Sequence, residues 1–171
     1  MMRTVMTSIA TVAAALLLSA SVSQADVSAR KPNLVAGTWQ PVSATVELDG
    51  KISMPYGPTP RGKLTFTEDM FFVEFLFDPR IPRIQSNARG GGTDDENKAI
   101  MAGILALEGR YTVDRDGQFS GNTVEGSSFP NWIGQVRSTK DLTMRVDGAR
   151  MVENFERPGG ARVTIIWEHA R

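Results

Sequence analysis

The chain has 171 residues, with 19 basic and 19 acidic side chains, one histidine and no cysteine. Without cysteine there are no disulfides, no thiolate nucleophile and no cysteine-held metal, and the lone His169 argues against a His-based catalytic dyad or zinc site. A formal net charge of +0 gives no basic surplus, so we expect no nucleic-acid partner, and no run of like charge marks an electrostatic tail.

Met1-Met2-Arg3, the small-apolar run Ile9–Leu18 and the small residues of Ser23-Gln24-Ala25 read as a secretory signal peptide over 1–25, cut after Ala25. The run falls short of the roughly 20 apolar residues a membrane span needs. Cleavage removes only Arg3 from the charge count and leaves no stable membrane span, so we expect a periplasmic or secreted protein. Residues 26–33, polar and broken by Pro32, read as a flexible leader, and 34–171 as one domain.

Leu34–Leu48 opens as a strand closed by Asp49-Gly50, a strong turn signal, with Lys51–Met54 pairing back briefly. Pro55–Pro60 is a loop, since three prolines in it cannot supply ladder donors. Lys63–Thr67 alternates as a strand, and Met70–Phe77 follows. In that stretch Phe71, Val73, Phe75 and Phe77 share one face, and Met70, Phe72, Glu74 and Leu76 the other. Both faces are apolar, so the strand is covered twice or lines a cavity. Glu74 there is expected at a barrel mouth or paired with an arginine.

Asp78–Gly92 is a long loop. Its triple glycine lacks the Gly-Lys-Ser/Thr of a phosphate cradle, and Thr93 with Glu96 forms a capping box instead. With Asp94 and Asp95 in the first turn, the residues predict a helix over about 94–107, packing its Ala99, Ile100, Met101, Ile104 and Leu105 face down, and not a metal site. Gly109–Val113, Gln118–Glu125, Gln135–Val146, Ala149–Glu156 and Ala161–Glu168 complete the strands, with turns at Asp114–Gly117, Asp147-Gly148 and Pro158–Gly160. Eight antiparallel strands with one inserted helix predict an all-β, up-and-down barrel able to hold one small ligand.

Gly37-Thr38-Trp39 resembles the Gly-x-Trp signature of lipocalins and related calycin barrels. Pro55-Tyr56-Gly57-Pro58 with Pro60 and Gly62, Tyr111 with Val113-Asp114, Val124–Ser127, Pro130-Asn131-Trp132 with Gly134, and Ile166-Trp167-Glu168 strengthen the match. Over Leu34–His169 the chain resembles the bacterial and fungal lipocalin-like domain proteins. The resemblance implies a barrel for a hydrophobic ligand, with Trp39 closing the floor under a basic residue near the last strand. Here His169 follows Trp167-Glu168 closely, while Arg162 and Arg171 are both open as the partner of Trp39.

The first expected function is an exported carrier of a small apolar molecule. Trp39, Phe72 and Phe75 would line its pocket, and Tyr111, Glu125, Asn131, Trp132 and Arg137 would orient the ligand, with no cofactor and no metal. The alternative is a barrel enzyme of cyclase, isomerase or hydratase type acting on a lipid-like or polyketide-like substrate. Glu125 would move a proton while Tyr111 and Asn131 steady oxyanion charge, which requires Glu125 to point inward past any bulge at Gly121 or Gly126. A third class is an envelope interaction module presenting the Asp78–Thr93 connection.

Overall fold

The computed structural model describes residues 31–170. The expected signal peptide and residues 26–30 of the leader lie outside that range. Ten strands and one helix follow in chain order: β1 Gly37–Leu48, β2 Lys51–Ser53, β3 Arg61–Phe66, β4 Phe71–Phe77, α1 Asp94–Gly103, β5 Ile104–Val113, β6 Phe119–Ser127, β7 Val136–Ser138, β8 Leu142–Asp147, β9 Arg150–Arg157 and β10 Ala161–His169. A 3-10 turn over Pro130–Trp132 sits between β6 and β7. The strands form one antiparallel sheet ordered β7-β6-β5-β4-β3-β1-β10-β9-β8, with β2 folded onto β1. It curls into a nearly closed barrel.

The strand count exceeds the expected eight for two reasons. The brief return of Lys51–Ser53 is a real hairpin on β1. The expected long strand Gln135–Val146 breaks in two because Asp141 accepts hydrogen bonds from the Ser138 amide and hydroxyl, each at 2.9 Å. Such local side-chain bonds compete with the ladder, and the chain turns there.

The helix ends at Gly103, not near Leu107. Leu105 and Leu107 are buried and Ile104, Ala106 and Glu108 are not, a period of two that belongs to β5. The capping box at Thr93 and Glu96 forms as expected, with Thr93 N donating to Glu96 Oε2 at 2.7 Å. The expected apolar face of the helix is not packed down, however: Met101 is 57% exposed and only Gly103 is buried.

Three bulges set what faces inward, one of them at Ser120, which β6 skips between Phe119 opposite Val113 and Gly121 opposite Thr112. β1 slips register between Pro41 and Ser43, where proline has no amide to donate, so Trp39 and Ala44 both point into the barrel. β6 slips against β5 so that Glu108 pairs with Gly126 and Gly109 with Val124, leaving Glu125 unpaired in between. The core runs through Trp39, Phe66, Phe72, Tyr111, Phe119, Ile165 and Trp167, all essentially buried.

At the floor, Trp39 donates its indole N–H to the Val35 carbonyl at 2.8 Å and stacks on His169 at 3.9 Å between ring centroids. The basic cover of Trp39 is thus His169. Arg162 is elsewhere, paired with Glu47 at 3.0 Å, and Arg171 lies outside the described residues. Gly37 is required beside the stack, since a Cβ there would come within 2.8 Å of the His169 ring. Residues 31–33 are tied down: Lys31 pairs with Asp116 at 2.8 Å, and the Asn33 amide donates to the Tyr111 hydroxyl at 2.7 Å.

The two ends of the sheet meet at β6, β7 and β8. Their seam carries no strand ladder and is held by Gln118, whose amide donates to the Val146 carbonyl and whose oxygen accepts the Val146 amide, both at 3.0 Å. One side chain thus satisfies a backbone donor and acceptor that a neighbouring strand would otherwise pair.

Candidate functional site

Alternation along β4 turns Phe72, Glu74 and Leu76 inward and Phe71, Val73 and Phe75 outward. The same period along β9 turns Met151, Glu153 and Phe155 inward. The barrel therefore contains two carboxyl side chains, Glu74 and Glu153, each 3% exposed. Glu153 accepts the Trp167 indole N–H at 2.9 Å, whereas Glu74 Oε1 is buried with no partner among the described residues. Asn122, on the inner face of β6, likewise has a buried oxygen without a partner. Buried polar atoms in native folds are nearly always bonded, so these orphans need water or a ligand.

Burial pushes the Glu74 carboxyl well above the usual carboxylate range, and the nearby Glu153 charge adds to the rise while Arg137 opposes it. Burial also lifts Glu153 to about 7, against the pull of the Trp167 hydrogen bond and of Arg137. Tyr56, brought in by the proline-rich loop between β2 and β3, is pushed up to about 12 by burial, with Arg157 opposing. Desolvation holds Arg137 below its ordinary value, countered by Glu153 and Glu74. These are interacting groups whose protonation steps belong to the set.

A cleft of about 380 Å³ opens at the upper part of the seam, lined by Trp132, Gln135, Val136, Arg137, Asp141, Phe155, Glu156, Arg157 and Pro158. Arg137 lies over the Trp132 ring at 4.9 Å, and Trp132 meets Phe129 edge-on at 5.5 Å. A larger depression of about 740 Å³ lies beside β1, β2, β8, β9 and β10. Its Arg162 and Glu47 neutralise each other, whereas the Arg137 of the seam cleft is acted on by buried Glu153 and Glu74, so the seam cleft is the stronger candidate.

The residues singled out from sequence fall in three places. Trp132 and Arg137 meet at the cleft. Trp39 and Tyr111 are buried toward the floor; the Tyr111 hydroxyl donates to the Thr67 carbonyl at 2.6 Å, and Phe72 packs in the same core. Phe75, Glu125 and Asn131 are exposed and cannot line an interior pocket. Phe75 is outward by the parity of β4 and touches Phe77, with ring centroids 5.2 Å apart. Glu125, next to inward Val124, is outward by alternation and pairs with Arg110 at 3.4 Å, so the acid of the Glu125–Tyr111–Asn131 proposal does not point inward.

Sequence reasoning missed Glu153, Asn122, Tyr56, Phe155 and Arg157. Met151-x-Glu153-x-Phe155 does carry a signal, an acidic residue at the apolar parity of a strand, as Phe72-x-Glu74-x-Leu76 does. Among the described residues no group of three or more acidic or histidine side chains is placed to hold a metal ion.

Residues 36–168 match the model of a family described as a lipocalin-like domain. No curated protein matches the chain. Among solved structures a redesigned β-barrel is similar at 14% identity and a TM-score of 0.41, covering 83% of this chain and 96% of its own.

Proposed function

The chain belongs to the lipocalin-like domain family, and on that premise we propose that it is an exported protein that binds a small hydrophobic molecule at the seam end of its barrel. The observation that carries the reading is the buried Glu74–Glu153 pair with an unpartnered oxygen, near a cleft lined by Trp132 and Phe155. A ligand pocket is typically apolar with a few polar groups that fix orientation. The floor half is filled by Trp39, Phe66, Phe119 and Tyr111, so the ligand occupies the other half. Export rests on the sequence of 1–25 alone, and no helix among the described residues is long and apolar enough to cross a membrane.

Native mass spectrometry of protein purified from its own host tests the reading. It predicts a co-purifying apolar small molecule, weakened by Trp132→Ala. No adduct, together with no binding of the neutral apolar dye N-phenyl-1-naphthylamine, would remove it.

One observation favours a catalytic second reading. A carboxyl at about 7 is suited to move protons near neutral pH, and Glu153 is such a group inside the barrel. In that reading Glu153 replaces Glu125 as the acid–base group. Glu153→Gln would then retain a captured compound but stop its turnover, and unchanged turnover would end this reading.

A further inference from the structure

Two arginines share the seam cleft with the carboxylates of Asp141 and Glu156. Arg137 and Arg157 lie on the inward parity of β7 and β9, both half-buried. Neither takes part in a salt bridge among the described residues. Arg137 directs Nε and Nη2 at the neutral Gln135 amide oxygen, at 3.4 and 3.2 Å. Arg157 Nε is buried with no hydrogen-bond partner among the described residues, and its guanidinium lies beside the Tyr56 hydroxyl. Each guanidinium faces an aromatic ring, Arg137 over Trp132 at 4.9 Å and Arg157 over Phe155 at 6.0 Å.

The acidic groups nearby offset part of this charge, but none is paired with either guanidinium. Asp141 at the rim is already engaged by the Ser138 amide and hydroxyl. Glu156 is on the outer face of β9 and exposed. Glu74 and Glu153 act on Arg137 from inside, yet burial raises both carboxyls and favours their protonated forms. Two guanidiniums that form no salt bridge among the described residues thus sit in a partly desolvated, aromatic-lined place. A guanidinium presents paired N–H donors that match an oxyanion, and such charge-assisted bonds strengthen away from water.

Resting on the reading of this cleft as a ligand site, we infer that the ligand is an apolar organic acid, its anionic group held by Arg137 and Arg157 and its body lying against Trp132 and Phe155.

The test compares two dyes with the same apolar body, 8-anilinonaphthalene-1-sulfonate and its neutral parent N-phenyl-1-naphthylamine, by fluorescence titration of the full chain. The sulfonate is ionised throughout, so its charge is fixed. Wild type is expected to bind the sulfonate at least about tenfold more tightly than the parent, and Arg137→Gln/Arg157→Gln to lose that preference. Arg137→Lys/Arg157→Lys is expected to retain part of the preference, because charge remains without the planar fork. Equal binding of the two dyes by wild type would overturn the inference and leave the binding reading standing. A preference that survives in the double Gln variant would do the same. Binding of neither dye would take down both.

Discussion

Replacing Glu153 with glutamine removes one buried charge while keeping an oxygen for the Trp167 indole N–H, which now bonds Glu153 Oε2 at 2.9 Å. Burial raises this carboxyl from 4.5 to about 7 in the folded chain. A carboxyl raised on folding is protonated in the fold before it is protonated in the unfolded chain. Its favourable contribution is therefore fully present below the unfolded value and is lost as pH rises through the folded one. The difference between the two values corresponds to a destabilisation of wild type on the order of 3 kcal/mol by about pH 8, at roughly 1.4 kcal/mol per pKa unit. Glu153→Gln is thus expected to match wild type near pH 4 and to exceed it at pH 8 by that amount, on the order of 10 °C in Tm for a domain of this size. Thermal unfolding followed by circular dichroism across that range measures the difference. A variant less stable than wild type at pH 8, or a difference independent of pH, would refute the reasoning.

Three further substitutions probe the frame around the site. Gln118→Ala leaves the Val146 amide and carbonyl without their side-chain partner, so we expect a loss of about 2 kcal/mol in denaturant unfolding and faster hydrogen exchange at Val146. Gly62→Ala places a Cβ on the Phe75 carbonyl oxygen at a φ of +147°, and the ladder between β3 and β4 must give way; a loss of several kcal/mol or an insoluble product is expected, and a variant of wild-type stability would contradict the geometry. Glu125→Gln removes only an exposed pair with Arg110, so stability should stay within about 0.5 kcal/mol and binding of N-phenyl-1-naphthylamine should be unchanged.

The barrel was legible in the sequence because alternation and Asp-Gly turns are local properties. The places where reading failed are those where two local rules agree or where distant strands decide. Ile104-Leu105 continues the helical spacing of α1 and also begins the alternation of β5, and burial of Leu105 and Leu107 against the sheet settles it. Along β4 both faces are apolar, so parity alone cannot say which is inside. Outside, Arg110 covers Phe71 at 4.0 Å and Phe75 rests against Phe77, which makes an exposed apolar face tolerable. Parity could not place Glu125 across a possible bulge in β6; the chain skips Ser120 in its pairing, Asn122 and Val124 then face inward, and Glu125 falls outside. The carboxyl pair is a product of closure, since Glu74 and Glu153 lie on β4 and β9, which share no ladder and face each other only once the sheet has curled. Trp132 and Arg137 were found because they flank one short loop.

The location of binding can be read by NMR, titrating labelled protein with N-phenyl-1-naphthylamine and following the Trp132 indole, the Arg137 and Arg157 side chains, and the carboxyl carbons of Glu74 and Glu153. The expected result is a common saturable shift in these groups, with Glu125 and Trp39 unmoved. Shifts confined to the outer face around Phe71, Val73 and Phe75, or at the floor around Trp39 and His169, would contradict a site at the seam.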